Sequence, residues 1–188
     1  IEGLIGSTFA DSLTAGSGSA YLHGQAGNDV LTGGGSSDTL IGGFGDDSLY
    51  GGVGQDTLTS GDAHDSDFFV YTAPTDGMVV AGNGTVNNGP FDLITDFETV
   101  LDKIQISAVG FGNIAAIEEG VNFSIIGTAY DGTSSGDPNS EWDAGRASLI
   151  FDEANSRLIY DANGAGAGYT ILAQVQPGGT VTASDVQT

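Results

Sequence analysis

The chain has 188 residues and a formal net charge of −22, from 25 acidic side chains against 3 basic ones. That balance makes nucleic acid and other polyanions poor partners and favours multivalent cations. With 39% hydrophobic residues the sequence reads as folded rather than as an acidic disordered tail, and with no cysteine it offers neither disulfides nor thiolate metal sites.

The three bases are Lys103, Arg146 and Arg157, so the first 102 residues contain no Lys or Arg. No apolar run approaches the ~18 residues of a membrane helix, and membrane insertion is not expected. The sequence opens on Ile1, which reads as a piece excised from a longer chain.

Sixteen of the 32 glycines lie in residues 1–65, where the chain repeats with period nine. In frame the copies are GSTFADSLT (6–14), AGSGSAYLH (15–23), GQAGNDVLT (24–32), GGGSSDTLI (33–41), GGFGDDSLY (42–50) and GGVGQDTLT (51–59), with a degraded copy from Ser60. The sixth place reads Asp11, Ala20, Asp29, Asp38, Asp47, Asp56 and Asp65; the eighth reads Leu13, Leu22, Leu31, Leu40, Leu49 and Leu58. Period nine fits neither a heptad nor a helix face. Glycine at this density costs a helix about 1 kcal/mol per residue. The residues around the eighth place suit a short strand with its leucine inward, and the preceding glycines suit a turn with positive φ. Strand and turn in alternation predict a parallel β-solenoid over residues 1–68.

Residues 69–188 read differently. DFFVYTAP, FDLITDF, DKIQIS, VNFSII, ASLIFD, RLIYDA and YTILAQV are strand-like runs separated by Gly, Asn, Asp and Pro. A short helix is possible near 113–120. This part is expected to form a β-sandwich-like C-terminal cap on the last coil. Phe68, Phe69, Tyr71, Phe97, Phe123, Phe151 and Tyr160 are its expected core.

The phrase GGxGxDxLx, clean over residues 24–59, resembles the calcium-binding nonapeptide of repeats-in-toxin (RTX) proteins. Downstream, FDLITDFETVLDKIQIS (91–107) resembles the segment after the repeats in serralysin-type proteases and in the R-modules of secreted alginate epimerases. LIFDEANSRLIYDANGAGAG and the ending VTASDVQT resemble the C-terminal end of type I secretion substrates. The resemblance implies a parallel β-roll, several Ca²⁺ ions, a secretion signal within about 140–188, and the type I secretion machinery as a partner. It also implies a further calcium site drawing on Asp96 and Asp102, near Asp92; turn residues at strand ends are the structural alternative.

The charge pattern argues in the same direction. Two nonapeptides make one coil, so equivalent turns stack about 4.8 Å apart. Asp11 then stacks with Asp29, Asp29 with Asp47, Asp47 with Asp65, and Asp38 with Asp56. Two carboxylates ~5 Å apart repel by roughly 3 kcal/mol at an effective dielectric near 20, and salt and exposure reduce this. A few such pairs rival the ~5–15 kcal/mol of a whole domain. The metal-free solenoid is therefore expected to be unfolded, and a cation between turns reverses the sign. Carboxylates with backbone carbonyls are a calcium ligand set. The carbonyls would come from the first four places of the clean copies: Gly24, Ala26 and Gly27; Gly33, Gly34 and Gly35; Gly42, Gly43, Phe44 and Gly45; Gly51, Gly52, Val53 and Gly54. Ala20 in place of an acid predicts a weak or missing place opposite Asp38. Asp65 sits in a degraded copy whose leucine place holds Asp67, and Asp46 and Asp62 fall off register.

Other motifs carry less. DANGAGAG (161–168) opens like an EF-hand loop but has Leu172 at the twelfth place, and a glycine-rich hairpin turn is the better reading. His23 and His64 lack zinc-motif spacing, and there is no cysteine to act as a nucleophile. Trp142 suits either a sugar-stacking residue or an edge plug. The expected function is a non-catalytic, calcium-folded, secreted module of a larger protein. The alternative is a calcium-dependent module that binds extracellular polysaccharide or the cell surface.

Overall fold

The computed structural model describes residues 2–80, 91–112, 114, 117, 123–126, 148–161, 169–176 and 179–188. Their strands are β1 (Glu2–Ile5), β2 (Ser12–Thr14), β3 (Ala20–Ala26), β4 (Val30–Gly35), β5 (Thr39–Phe44), β6 (Ser48–Val53), β7 (Thr57–Gly61) and β8 (Phe68–Tyr71). They continue with β9 (Met78–Val80), β10 (Asp92–Ile94), β11 (Lys103–Ile106), β12 (Phe123–Ile126), β13 (Ser148–Asp152), β14 (Arg157–Asp161), β15 (Tyr169–Val175) and β16 (Val186–Gln187). Among the described residues there is no α-helix.

Two sheets wind through the molecule. One runs in the order β1-β3-β5-β7-β10-β15-β14-β13-β12, with β9 also on β15, and the other β16-β11-β8-β6-β4-β2. All neighbours from β1 to β15 in the first sheet, and throughout the second, are parallel. Each coil thus contributes one strand to each sheet, which is the geometry of a parallel β-roll. The coils are β1/β2, β3/β4, β5/β6, β7/β8, β10/β11 and β15/β16.

The eighth-place residue of each strand points between the sheets because side chains alternate along a strand. One inward ladder runs Leu4, Leu22, Leu40, Leu58, Ile94, Val175. The other runs Leu13, Leu31, Leu49, Phe69, Ile104, Val186. All but the two N-terminal leucines are buried. A fully buried side chain of this size contributes about 1.5–3 kcal/mol, so the narrow core depends on every rung.

All seven downstream runs form strands, but they lengthen the roll's own sheets. β10 lies on β7, β11 on β8, and β15 and β16 make a further coil. Residues 72–91 and 107–168 are insertions between coils. The second carries β12–β14, which carry the first sheet beyond β15: β14 pairs antiparallel with β15 and β13, and β12 lies parallel to β13. Alternate residues there face the roll core, where Leu149, Phe151, Leu158 and Tyr160 sit, or a second cluster of Phe91, Ile150, Ile159, Tyr169 and Ile171. The expected core aromatics are buried, with one exception. Phe68 is half-buried because it stands in the outward register of β8. The helix expected near 113–120 lies largely outside the described residues, as do Arg146, Trp142 and most of the 161–168 turn.

Candidate metal centre

Turns on one side of the roll join first-sheet to second-sheet strands, and turns on the other side return. Each side stacks an acid in most coils, with Ala20 in the acid place of one. On the first side Asp29 Oδ1 accepts the Asp11 N–H (2.8 Å), Asp47 the Asp29 N–H (2.8 Å), Asp67 the Asp47 N–H (2.8 Å) and Asp102 the Asp67 N–H (3.2 Å). On the second side Asp38 Oδ1 accepts the Ala20 N–H (2.7 Å), Asp56 the Asp38 N–H (2.8 Å) and Asp92 the Asp56 N–H (2.9 Å). The sixth-place acids therefore meet backbone donors of the preceding coil with one oxygen. Those charge-assisted bonds offset part of the repulsion that stacking alone implies.

The second oxygen has no such donor in most of them. Oδ2 of Asp29, Asp38, Asp47, Asp56 and Asp92 is buried and has no hydrogen-bond partner. Leaving one buried acceptor unsatisfied costs about 1–3 kcal/mol, and more for a charged one. Four of these oxygens face bare glycine. A Cβ on Gly33 would lie 2.6 Å from Asp38 Oδ2 and 2.7 Å from the Gly51 carbonyl oxygen. One on Gly51 would lie 2.5 Å from Asp56 Oδ2, and Gly24 and Gly42 stand in the same relation to Asp29 and Asp47. First-place glycine leaves a gap lined by one carboxylate oxygen and a carbonyl of the next coil. That hard, all-oxygen lining fits calcium. Among the described residues no three acidic or histidine side chains converge, so the remaining oxygens must be backbone carbonyls or water.

The glycines serve two purposes. Gly34, Gly43 and Gly52 at the second place, and Gly27 and Gly45 at the fourth, have positive φ, as the turn requires. Gln25 and Ser36 adopt the same conformation without being glycine. First-place glycines do not, and their requirement is space. Third-place residues turn outward: Phe44 is 64% exposed and Val53 54%, while a Cβ on Gly35 would meet nothing within 4 Å. A Cβ on Gly54 would run into the Ser36 carbonyl.

The expected pairing of Asp47 with Asp65 is replaced by Asp47 with Asp67. The degraded copy holds two extra residues, so Asp67 takes the acid place and Phe69 the leucine place. Asp65 instead accepts the Gly45 N–H at 2.7 Å. Asp11 ends the row with Oδ2 bonded to the Ser7 N–H and hydroxyl. Asp102 takes the acid place of the β10/β11 coil, with Oδ2 on the Glu98 N–H. Asp96 stands at a first place and receives the Ser60 and Gly61 N–H groups. Asp67 and Asp92 take acid places that the frame of the repeat assigns to neither. An Asp two residues before an inward apolar residue (D-x-F, D-x-I) is the signal that finds them. Changing Asp67 to Asn is expected to cost on the order of 1.5–3 kcal/mol of calcium binding, a tenfold or larger rise in the titration midpoint, while Asp65→Asn shifts it less than about twofold. Calorimetric titration of the two variants distinguishes them.

Burial raises the pKa of these acids above the ordinary aspartate range. Asp47 and Asp67 are pushed to about 7, and Asp56 and Asp102 to about 6. Asp29 and Asp38 are raised, and Asp92, wholly buried beside Tyr71, is raised well above it. In each case burial is the largest cause, backbone N–H groups pull the other way, and for all but Asp38 neighbouring acids add to the rise.

The family of RTX calcium-binding nonapeptide repeats, a pattern of four copies, matches residues 5–40 and again 32–67. Two solution structures from the Azotobacter vinelandii mannuronan C5-epimerase are similar over most of the chain. The AlgE6R3 subunit is 21% identical, covering 97% of this chain and 80% of its own, with a TM-score of 0.33. The AlgE6R2 subunit is 20% identical, covering 98% and 91%, with a TM-score of 0.35. No curated protein matches the chain in sequence.

Proposed function

We propose that this chain, whose residues 5–67 are RTX calcium-binding nonapeptide repeats, is a non-catalytic module that calcium folds outside the cell. In this reading residues 1–68 form the calcium-built roll, residues 69–188 complete it, and about 140–188 carry a type I secretion signal for a larger parent protein. The observation that supports it is the set of five buried carboxylate oxygens without partners, four of them facing first-place glycines. Such turns are poorly stable when empty. At low cytosolic calcium the chain would remain extended enough to thread a secretion channel. Outside, calcium near the ~10⁻⁴–10⁻³ M at which extracellular modules bind would fold it. The named ligands are Asp29, Asp38, Asp47 and Asp56, joined by Asp67, Asp92 and Asp102, with first-place glycine carbonyls.

Circular dichroism during a calcium titration tests this. The β signal is expected to rise cooperatively with calcium and to vanish on adding EGTA. An unchanged β spectrum in EGTA at neutral pH defeats the proposal.

A second reading, calcium-dependent docking of the parent to an extracellular polysaccharide, has one feature in its favour. A cleft of about 430 Å³ is lined by Glu153, Asn155, Ser156, Arg157, Gln174 and Thr180. Its Arg157 guanidinium lies 4.8 Å over the Phe91 ring. A glycan array probed with and without calcium separates the two readings.

A further inference from the structure

The acid rows stop before the last coil. At the acid place, two residues before the inward rung, β15 has Ala173 (before Val175), and the segment leading to β16 has Ser184 (before Val186). The backbone rung fails at the same point. In every earlier coil of the first side, the acid's carbonyl accepts an N–H from the following coil: Asp11 from Val30, Asp29 from Ser48, Asp47 from Phe68 and Asp67 from Lys103. Asp102 loses that partner, because the Asp185 N–H turns back to the Thr182 carbonyl in a 3-10 turn at Ala183–Asp185.

Lys103 fills both vacancies. Its Nζ donates to the Asp102 carbonyl (3.2 Å) and the Val100 carbonyl (3.1 Å), and reaches Asp185 Oδ1 at 3.4 Å. Asp185 Oδ1 also accepts the Val100 N–H at 3.2 Å, and its Oδ2 accepts the Thr182 N–H and hydroxyl at 3.0 and 2.8 Å. The Asp185 side chain is 1% exposed. Its charge is well supported: burial works against it, but Thr182, the Val100 N–H and Lys103 outweigh that and hold its pKa below the usual aspartate range. Val100 is held at φ 86°, which a β-branched residue adopts only when its surroundings over-determine it.

We propose that Lys103 and Asp185 form an internal latch in which the ammonium takes the part that divalent ions play between earlier coils, so that the C-terminal strand docks without a calcium ion of its own. The ligand types are the same, two backbone carbonyls and one carboxylate, but the cation is covalently part of the chain. It is the only Lys in the sequence, placed one residue after the last acid of its row. The consequence is a division of labour. Calcium sets whether the roll forms, and the latch sets whether residues 182–188 stay attached to it. The buried Asp185 carboxylate is balanced by a charge that belongs to the chain itself and that chelators cannot remove.

The test uses the whole chain at saturating calcium, with amide hydrogen exchange at Val186 and Gln187 as readout and native mass spectrometry to count bound ions. In Lys103→Met and in Asp185→Asn, protection of β16 is expected to fall at least tenfold, with protection of β3–β7 and the number of bound calcium ions unchanged. Wild-type protection of β16 in both variants overturns the latch. Loss of one calcium ion in Lys103→Met also overturns it, by making Lys103 a support for the ion at Asp102. The comparison at saturating calcium stands whether or not calcium is what folds the roll, so a failed EGTA experiment and a failed latch are told apart.

Discussion

The calcium-free chain, held in EGTA, is expected to lack β structure at pH about 7.5 and to regain much of it at pH about 4. The sign follows from the direction of the shifts. Burial raises Asp47 and Asp67 to about 7 and Asp56 and Asp102 to about 6, so the folded form takes up protons more readily than the unfolded chain. An aspartate raised in this way stabilises the fold fully below its unfolded pKa, near 3.9. That contribution is lost as pH rises through the folded value, between about 4 and 7. Above the window the same groups are buried, charged and mutually repelling, and only a cation stabilises them. Protons and calcium compete for the same oxygens, so the calcium midpoint is expected to fall as pH rises from about 5.5 to 8, with protons released on binding. Far-ultraviolet circular dichroism in EGTA at the two pH values, with calorimetry in buffers of different ionisation enthalpy, measures both effects. A calcium-free chain that gains structure as pH rises would mean that the row acids are not what oppose folding.

Two neighbouring glycines are expected to respond very differently to the same added methyl group. Gly33→Ala places a Cβ 2.6 Å from Asp38 Oδ2 and 2.7 Å from the Gly51 carbonyl, inside the gap where both oxygens would meet an ion. Neither atom can yield freely, since one belongs to a backbone rung and the other to a carboxylate anchored on the Ala20 N–H. Overpacking of this kind costs about 1–3 kcal/mol, and loss of the ion adds to it. The variant is expected to bind at least one calcium ion fewer and to need roughly tenfold more calcium to fold. Gly35→Ala puts its methyl in open space and should fold with the wild-type midpoint. Equal effects at the two positions would show that glycine serves backbone freedom alone, with no cation gap at the first place. Gly34, at φ 97°, separates the two causes further, because its substitution strains the backbone although the nearest atom stands 3.2 Å away.

Much of the site was legible in the repeat itself. Asp29, Asp38, Asp47 and Asp56 stand at the acid places, because an uninterrupted period of nine leaves only one stacking register for two strands per coil. Leu22, Leu31, Leu40, Leu49 and Leu58 are inward for the same reason. Legibility ended where the period did. Two residues added after Gly61 moved the acid from Asp65 to Asp67, and the one insertion at 72–91 separates Asp92 and Asp102 from the coil they continue. A frame count cannot cross such gaps, since it measures distance along the chain and not along the stack.

By itself, the sequence determined the class and the chemistry of this protein: an all-β roll, an acidic surface without competing bases over its first 102 residues, and an oxygen-only set of ligands. Those follow from composition and from a short, strictly local repeat. The tertiary structure decided which distant segments finish the roll, that Asp29, Asp38, Asp47, Asp56 and Asp92 each spend one oxygen on a backbone N–H and leave the other without a partner, and that a lysine closes the last gap. These depend on contacts between residues 18 to 85 positions apart. Burial, which raises most of the row acids and leaves five of their second oxygens without partners, arises only once those segments are stacked.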